Sequence, residues 1–323
     1  MKKIIIGIII SSIFIWLSIR GVEYDKILTG LKDAEYIFLI PALVMIMSIA
    51  IFRSLRWGVI LSPIEKISQK KLFPIYSVGL MAIILIPMRI GEFLKPYLIS
   101  RRSRVSLSSG LATVFVERVL DSLTILFMLL VVIFSSDLPE WLIRSGYSLL
   151  FTFLVLVILM FLMYYKTELC FKFLRPVLSR LPHKISEKIE VLIKKFIEGF
   201  KIISNPKKLF YCIFYSVLIW TFSALAIFSL FLFQNFQLSL LSAFVVLVIT
   251  IIGVSIPTAP GFLGNFQFAC ITALSLFGIP KSESFAFSMV YYFFGIVFYV
   301  LLGLICLPFM DNFLEDLKKT LKL

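Results

Sequence analysis

Eight ionisable residues stand within or beside stretches that are otherwise apolar: Arg53, Arg56, Arg89, Glu92, Lys95, Glu117, Arg118 and Asp121. Their spacing groups them. Arg53 and Arg56, in "RSLRW", are three apart and share one face of a helix; Glu117 and Asp121, in "ERVLD", are four apart and do the same, with Arg118 one position round. Arg89 and Glu92 flank Ile90-Gly91 in "IPMRIGEFLK". Five of the eight are cationic and three anionic, an excess of two positive charges. An Arg, Lys or Asp at the centre of a membrane helix costs about 2.5–3.5 kcal/mol even on the lenient insertion scale. Buried charge therefore needs a partner. The excess points to an anion of one or two charges, and the forked guanidinium suits phosphate oxygens. The competing reading is that Lys95, near a helix end, and Arg53 and Arg56, in the inner half of theirs, extend to the interface.

These charges matter because of what surrounds them. The chain is 60% hydrophobic with 34 Phe and only 15% charged residues, and several apolar runs exceed the roughly 18–20 residues needed to cross a bilayer. It reads as an all-α, polytopic membrane protein in a single membrane domain, 1–323, with no loop able to house a soluble catalytic domain. The first apolar run follows Lys2-Lys3 and lacks a small-residue cleavage site, which predicts an uncleaved helix. Cys170, Cys212, Cys270 and Cys306 have neither metal-ligand nor redox spacing, and His183 is the only histidine. No metal site, cofactor site or catalytic triad is expected. The net charge of +14 lies mostly in loops flanking apolar runs, where it signals topology and attraction to anionic lipid rather than nucleic acid.

Apolar segments fall at 4–19, 36–61, 72–99, 107–134, 147–165, 209–233, 239–277 and 284–309. Connections 62–71 and 100–106 carry three basic residues each, and 166–208 carries eleven, whereas 135–146 has one and 234–238 none. The basic connections and both termini are expected in the cytoplasm. Segment 72–99, broken at Pro87, then begins and ends inside, and 239–277, broken at Pro257 and Pro260, begins and ends outside. The expectation is about six full crossings and two re-entrant helical hairpins of opposite orientation, an inverted-repeat-like arrangement. Proline-kinked helices in an ordinary bundle are the alternative. A segment at 184–203, with Ile185, Ile189, Leu192, Ile193, Phe196 and Phe200 at helical spacing and lysines opposite, is predicted to lie on the inner membrane surface.

The two breaks align without gaps: "IPMRIGEFLK" (86–95) on "IPTAPGFLGN" (256–265). Paired interruptions in two halves are the sequence pointer to a transporter's binding site. Helices restarting at Gly91 and Gly261 would aim free N–H groups at the midplane, with Asn265 and Gln267 adding neutral hydrogen bonds. Gly261 and Gly264 serve equally well as helix-packing glycines.

Taken in order, "RSLRW", "PMRIGEFLKPYL", "ERVLD" and "PTAPGFLGNFQ" resemble the lysylphosphatidylglycerol synthase transmembrane-region, or flippase-like, family over almost the whole chain. Pro87, Arg89, Gly91 and Glu92 match the first-tip motif, Glu117, Arg118 and Asp121 the acidic–arginine motif, and Pro257, Gly261, Gly264, Asn265 and Phe266 the second-tip motif. Gln267 stands where an acid is common in the family, which puts proton coupling at this tip in doubt. The resemblance implies translocation of a phosphate-bearing lipid without the separate aminoacyl-transfer domain of larger relatives, hence no enzyme activity of its own. The implied partners are membrane phospholipids or a polyprenyl-phosphate lipid, in the plasma (inner) membrane. A membrane transferase acting on a lipid phosphate and a non-transporting partner subunit remain as rival expectations.

Overall fold

In a hydrocarbon surrounding, no water satisfies the backbone, so an apolar chain must close its hydrogen bonds within helices. The computed structural model describes residues 2–86, 91–135, 140–168, 171–172, 183–255 and 260–310, and all regular structure among them is helical. In chain order the helices are α1 (Lys2–Ile19), α2 (Tyr24–Lys32), α3 (Leu39–Leu61), α4 (Gln69–Leu85), α5 (Leu94–Arg102), α6 (Leu107–Ser135) and α7 (Glu140–Tyr165). There follow α8 (His183–Glu198), α9 (Pro206–Phe233), α10 (Leu240–Ser255), α11 (Asn265–Ser275), α12 (Lys281–Tyr292) and α13 (Phe298–Cys306). A π-helical turn, Phe293–Val297, joins α12 to α13 without a break. Among the described residues, Tyr36–Leu61, Gly146–Tyr165, Pro206–Phe233 and Lys281–Phe309 are each long and apolar enough to cross a membrane. This is a multi-pass helical membrane protein. Helix α6 has the length, at 29 residues, but carries Glu117, Arg118 and Asp121 in its middle.

Both interrupted segments are two helices with a break. At about 1.5 Å per residue, α10 and α11 reach only about 24 and 16 Å, and α4 and α5 about 25 and 13 Å, all short of a bilayer core of about 30 Å. The end of α10 folds against the start of α11: Asn265 Nδ2 donates to the Gly253 carbonyl at 3.0 Å, and a Cβ on Gly253 would lie 2.3 Å from that of Ala269. At the first break, a Cβ on Gly91 would lie 2.2 Å from the Ala82 carbonyl oxygen of α4. Gly91 thus lets the chain after the first break pass close against the backbone of α4.

The helices cluster into two compact units, each discontinuous in sequence, with boundaries that fall inside helices α3, α4, α5 and α9. The first unit comprises 1–51, 73–94 and 218–323. In it α1 packs on α11 through Phe14 and Phe268, whose ring centroids are 5.1 Å apart, and Met81 of α4 fills the space over Gly303 of α13. The Lys281 ammonium caps the end of α1 by donating to the carbonyls of Leu17 and Arg20, and Ser282 Oγ accepts the Glu23 N–H at 3.0 Å.

The second unit comprises 52–72 and 95–217. Its core gathers Ile60, Ala112, Val116, Leu120, Met160, Phe200 and Cys212. The amphipathic helix α8 contributes to this core. Gly199 lets the chain close on α6, since a Cβ there would lie 2.3 Å from that of Ala112, and Ser109 Oγ donates to the Lys195 carbonyl at 2.7 Å. The apolar face expected on the membrane surface is thus divided: Phe196 and Phe200 pack inward, while Ile185 and Leu192 remain about half exposed.

A buried ion cluster as candidate functional site

Helix α6 presents Glu117 and Asp121 on one face, one turn apart, and α3 presents Arg53 and Arg56 in the same way. Arg56 bridges the two acids. Its Nη1 donates to Asp121 Oδ1 at 2.8 Å, and its Nη2 lies 3.8 Å from Glu117 Oε1. The same Nη1 donates to Ser216 Oγ at 2.8 Å, and that hydroxyl donates onward to the Cys212 carbonyl of α9 at 2.8 Å. Glu117 receives a second cation: Lys95 Nζ donates to its Oε2 at 2.6 Å. Arg56, Lys95 and Glu117 have no exposed surface, and Asp121 has 5%. Arg118 Nη1 approaches Asp121 Oδ2 at 3.8 Å with 37% of its side chain accessible. Arg53 is part-buried and close enough for its charge to act on Asp121.

Around the charges is a polar and aromatic lining. Trp57, fully buried, donates from Nε1 to Thr113 Oγ1 at 3.0 Å, and Thr113 donates to the Gly110 carbonyl at 2.7 Å. The Lys95 ammonium lies 5.2 Å from the centre of the Trp57 ring, a cation–π contact that shares its charge with the indole face. Gly110 lets α5 approach α6, with Pro96 Cβ 3.1 Å from where its own Cβ would be. In low dielectric such charges persist only when paired and hydrogen-bonded. Every charge of this cluster lies on α3, α5 or α6, and Ser216 ties it to α9.

The structure brings Arg53, Arg56, Glu117, Arg118 and Asp121 together. It also decides against the competing reading for Lys95: rather than extending to the interface, it is buried and paired with Glu117. The pairing needs α5 to lie along α6, which local sequence does not encode. Trp57, Thr113 and Ser216 were also missed, because a tryptophan and two hydroxyl residues in apolar helices carry no signal of their own. Arg89 and Pro257 lie outside the described residues. Gly91, Glu92, Gly261, Gly264, Asn265 and Gln267 belong to the first unit. Glu92 is part-buried. Gly261 has φ +75° and the Tyr292 hydroxyl 2.7 Å from the position of a Cβ; Gly264 has φ +90° and Ser11 O at 2.6 Å. Both glycines therefore serve conformation and packing. Asn265 and Gln267 are buried, at 1% and 4% exposure, in the first turn of α11. Among the described residues no group of His, Cys, Asp and Glu is placed to hold a metal ion.

The chain is similar to a UPF0104 membrane protein of Methanothermobacter thermautotrophicus, 26% identical over 280 residues that cover 81% of this chain and 82% of the relative. Two UPF0104 membrane proteins of Methanocaldococcus jannaschii are 28% and 27% identical, covering 72% and 89% of this chain and 96% and 89% of their own lengths. No solved structure matches. The family model for the lysylphosphatidylglycerol synthase TM region aligns with residues 4–303, a stretch that takes in both breaks and every residue of the ion cluster, and to that family this chain belongs.

Proposed function

We propose that this protein moves a phosphate-bearing lipid, a phospholipid or a polyprenyl-phosphate carrier, between membrane leaflets, making and breaking no bond in it. One observation carries the reading. Among the described residues the cluster gathers four cations, Arg53, Arg56, Lys95 and Arg118, beside two carboxylates, Glu117 and Asp121, inside an apolar chain. The carboxylates hold the two deepest cations, Arg56 and Lys95, in place. Arg53 and Arg118, partly accessible beside that ion-paired core, offer guanidinium groups suited to the oxygens of a phosphate. Membership of a family named for lysylphosphatidylglycerol synthase supports a lipid role. In this reading the two interrupted segments enter from opposite faces, the basic loops and both termini are cytoplasmic, and the membrane is the plasma membrane. Arg89 is a further candidate ligand on sequence grounds.

The test is translocation in proteoliposomes by a panel of fluorescent lipids, with label in the outer leaflet bleached chemically. Wild-type protein is expected to move phosphate-bearing lipids and not a diacylglycerol of the same chains. Arg53→Gln and Arg118→Gln are each expected to slow this by about tenfold, the worth of one charge-assisted hydrogen bond, with Arg53→Lys retaining more because the charge stays. A protein that moves no lipid would leave the partner-subunit reading. Incorporation of a group from an activated donor into the lipid would replace transport with a transferase.

A further inference from the structure

The start of α11 carries a buried hydrogen-bond donor that meets no acceptor among the described residues. Gln267 is 4% exposed, and its Oε1 accepts the backbone N–H of Gly264 at 2.8 Å. Only the oxygen of the carboxamide can accept, so this bond fixes which way round the amide lies. Its Nε2 is consequently held at the helix start, buried and without a hydrogen-bond partner. Native proteins rarely leave such a group unmet, because an unsatisfied buried donor costs about 1–3 kcal/mol.

The surroundings say what would meet it. The first-turn N–H groups of α11 and its positive dipole end lie at the same place, and no acidic residue occupies that turn. The Tyr292 hydroxyl reaches the neighbouring glycine of this break, 2.7 Å from where Gly261 would carry a Cβ, and the Tyr292 ring meets Phe266 edge-on at 5.5 Å. The helix that supplies Tyr292 enters its π turn at the next residue, Phe293. We infer that the amino-terminal end of α11 is a receptor for a phosphate-type oxyanion held by uncharged donors, with the buried and unpartnered Gln267 Nε2 as its selecting donor. The inference does not depend on lipid translocation. Neutral donors bind an oxyanion without the deep trap that fixed cations make in low dielectric, which suits a site that must also release it. The oxyanion is free phosphate or the phosphodiester of a lipid headgroup.

The discriminating variant is Gln267→Glu. A carboxylate keeps an oxygen for the Gly264 N–H and is favoured in a helix's first turn, so the cap survives while the donor is lost. Full-length protein in dodecyl maltoside is titrated calorimetrically with inorganic phosphate, with short-chain phosphatidylglycerol and with dioctanoylglycerol, which has no phosphate. Wild type is expected to bind at least one phosphate-bearing probe and not dioctanoylglycerol. Gln267→Glu is expected to bind at least tenfold more weakly, and to melt somewhat lower because it buries a new charge. Tyr292→Phe, which removes one oxygen and leaves the ring packing, is expected to weaken binding several-fold and serves if the glutamate variant does not fold. Loss confined to phosphatidylglycerol identifies a lipid phosphodiester as the ligand, and loss for both probes identifies a receptor for the free ion as well. Binding of both probes by both variants as tightly as by wild type overturns the inference, as does a wild type that binds neither probe. Gln267-dependent binding in a protein that moves no lipid would remove translocation and keep this site; translocation and binding both indifferent to Gln267 would do the reverse.

Discussion

Arg56 serves two carboxylates and a hydroxyl with one guanidinium. Removing one member of a buried pair strands the others, so Arg56→Met is expected to cost about 3–5 kcal/mol. Arg118→Gln, at a side chain 37% accessible, is expected to cost about 1 kcal/mol or less. Thermal unfolding in detergent separates the two, and equal melting temperatures would deny Arg56 its central place. Lys95→Met keeps the stem's length and apolar contacts, so its effect reports the ion pair. It is expected to lower the melting temperature, and adding Glu117→Gln, which removes the charge Lys95 balances, is expected to restore part of the loss. The acidic and basic spacings on α3 and α6 could be read from sequence, because three- and four-residue intervals put side chains on one helix face. Lys95 could not, because its burial follows from Pro96 of α5 packing over Gly110 of α6.

At the scale of elements, glycines decide where helices can stop and touch. Gly264 and Gly278 both adopt positive φ, +90° and +73°. A Cβ at Gly278 would meet nothing within 4 Å, whereas one at Gly264 would lie 2.6 Å from the backbone oxygen of Ser11. Gly278→Ala is therefore expected to cost only the backbone strain, about 1–2 kcal/mol, and Gly264→Ala clearly more, since α1 must also shift. Melting temperatures of the two variants give the comparison directly. The places of the long apolar helices and of both breaks were legible, since long apolar runs and Pro-Gly punctuation are local signals, whereas α2 fell in a stretch read as a connection. What each glycine is for was not. Gly261 and Gly264 read equally well as site or packing glycines until the groups beside them are known. The π turn at Phe293–Val297 has no sequence signature, and the inward half of α8 is settled by the fit of Gly199 on Ala112.

At the scale of the whole molecule, topology is the open prediction, and loop charge makes it specific. Cysteines placed at the exposed positions Ser68 and Arg101, in a background without the native thiols, are expected to be shielded from an impermeant maleimide in intact cells. Those at Gln237 and Ser275, also exposed, are expected to react. If Ser68 and Arg101, or Gln237 and Ser275, label from opposite faces, the corresponding segment crosses and the hairpin arrangement fails. One contact described above also sets an order of events during synthesis. The carbonyls that end α1 are capped by Lys281, 264 residues beyond Leu17, and Glu23 waits for Ser282, 259 residues on. At a ribosomal pace of roughly 5–20 residues per second, α1 is made some 13–50 seconds before Lys281 and Ser282 exist. The second unit, bounded by 52 and 217, has all its segments by then. The cap on α1 thus comes late: nascent chains arrested before Lys281 should leave α1 loosely held and open to proteases or to the insertion machinery, and synthesis of α12 should close that window.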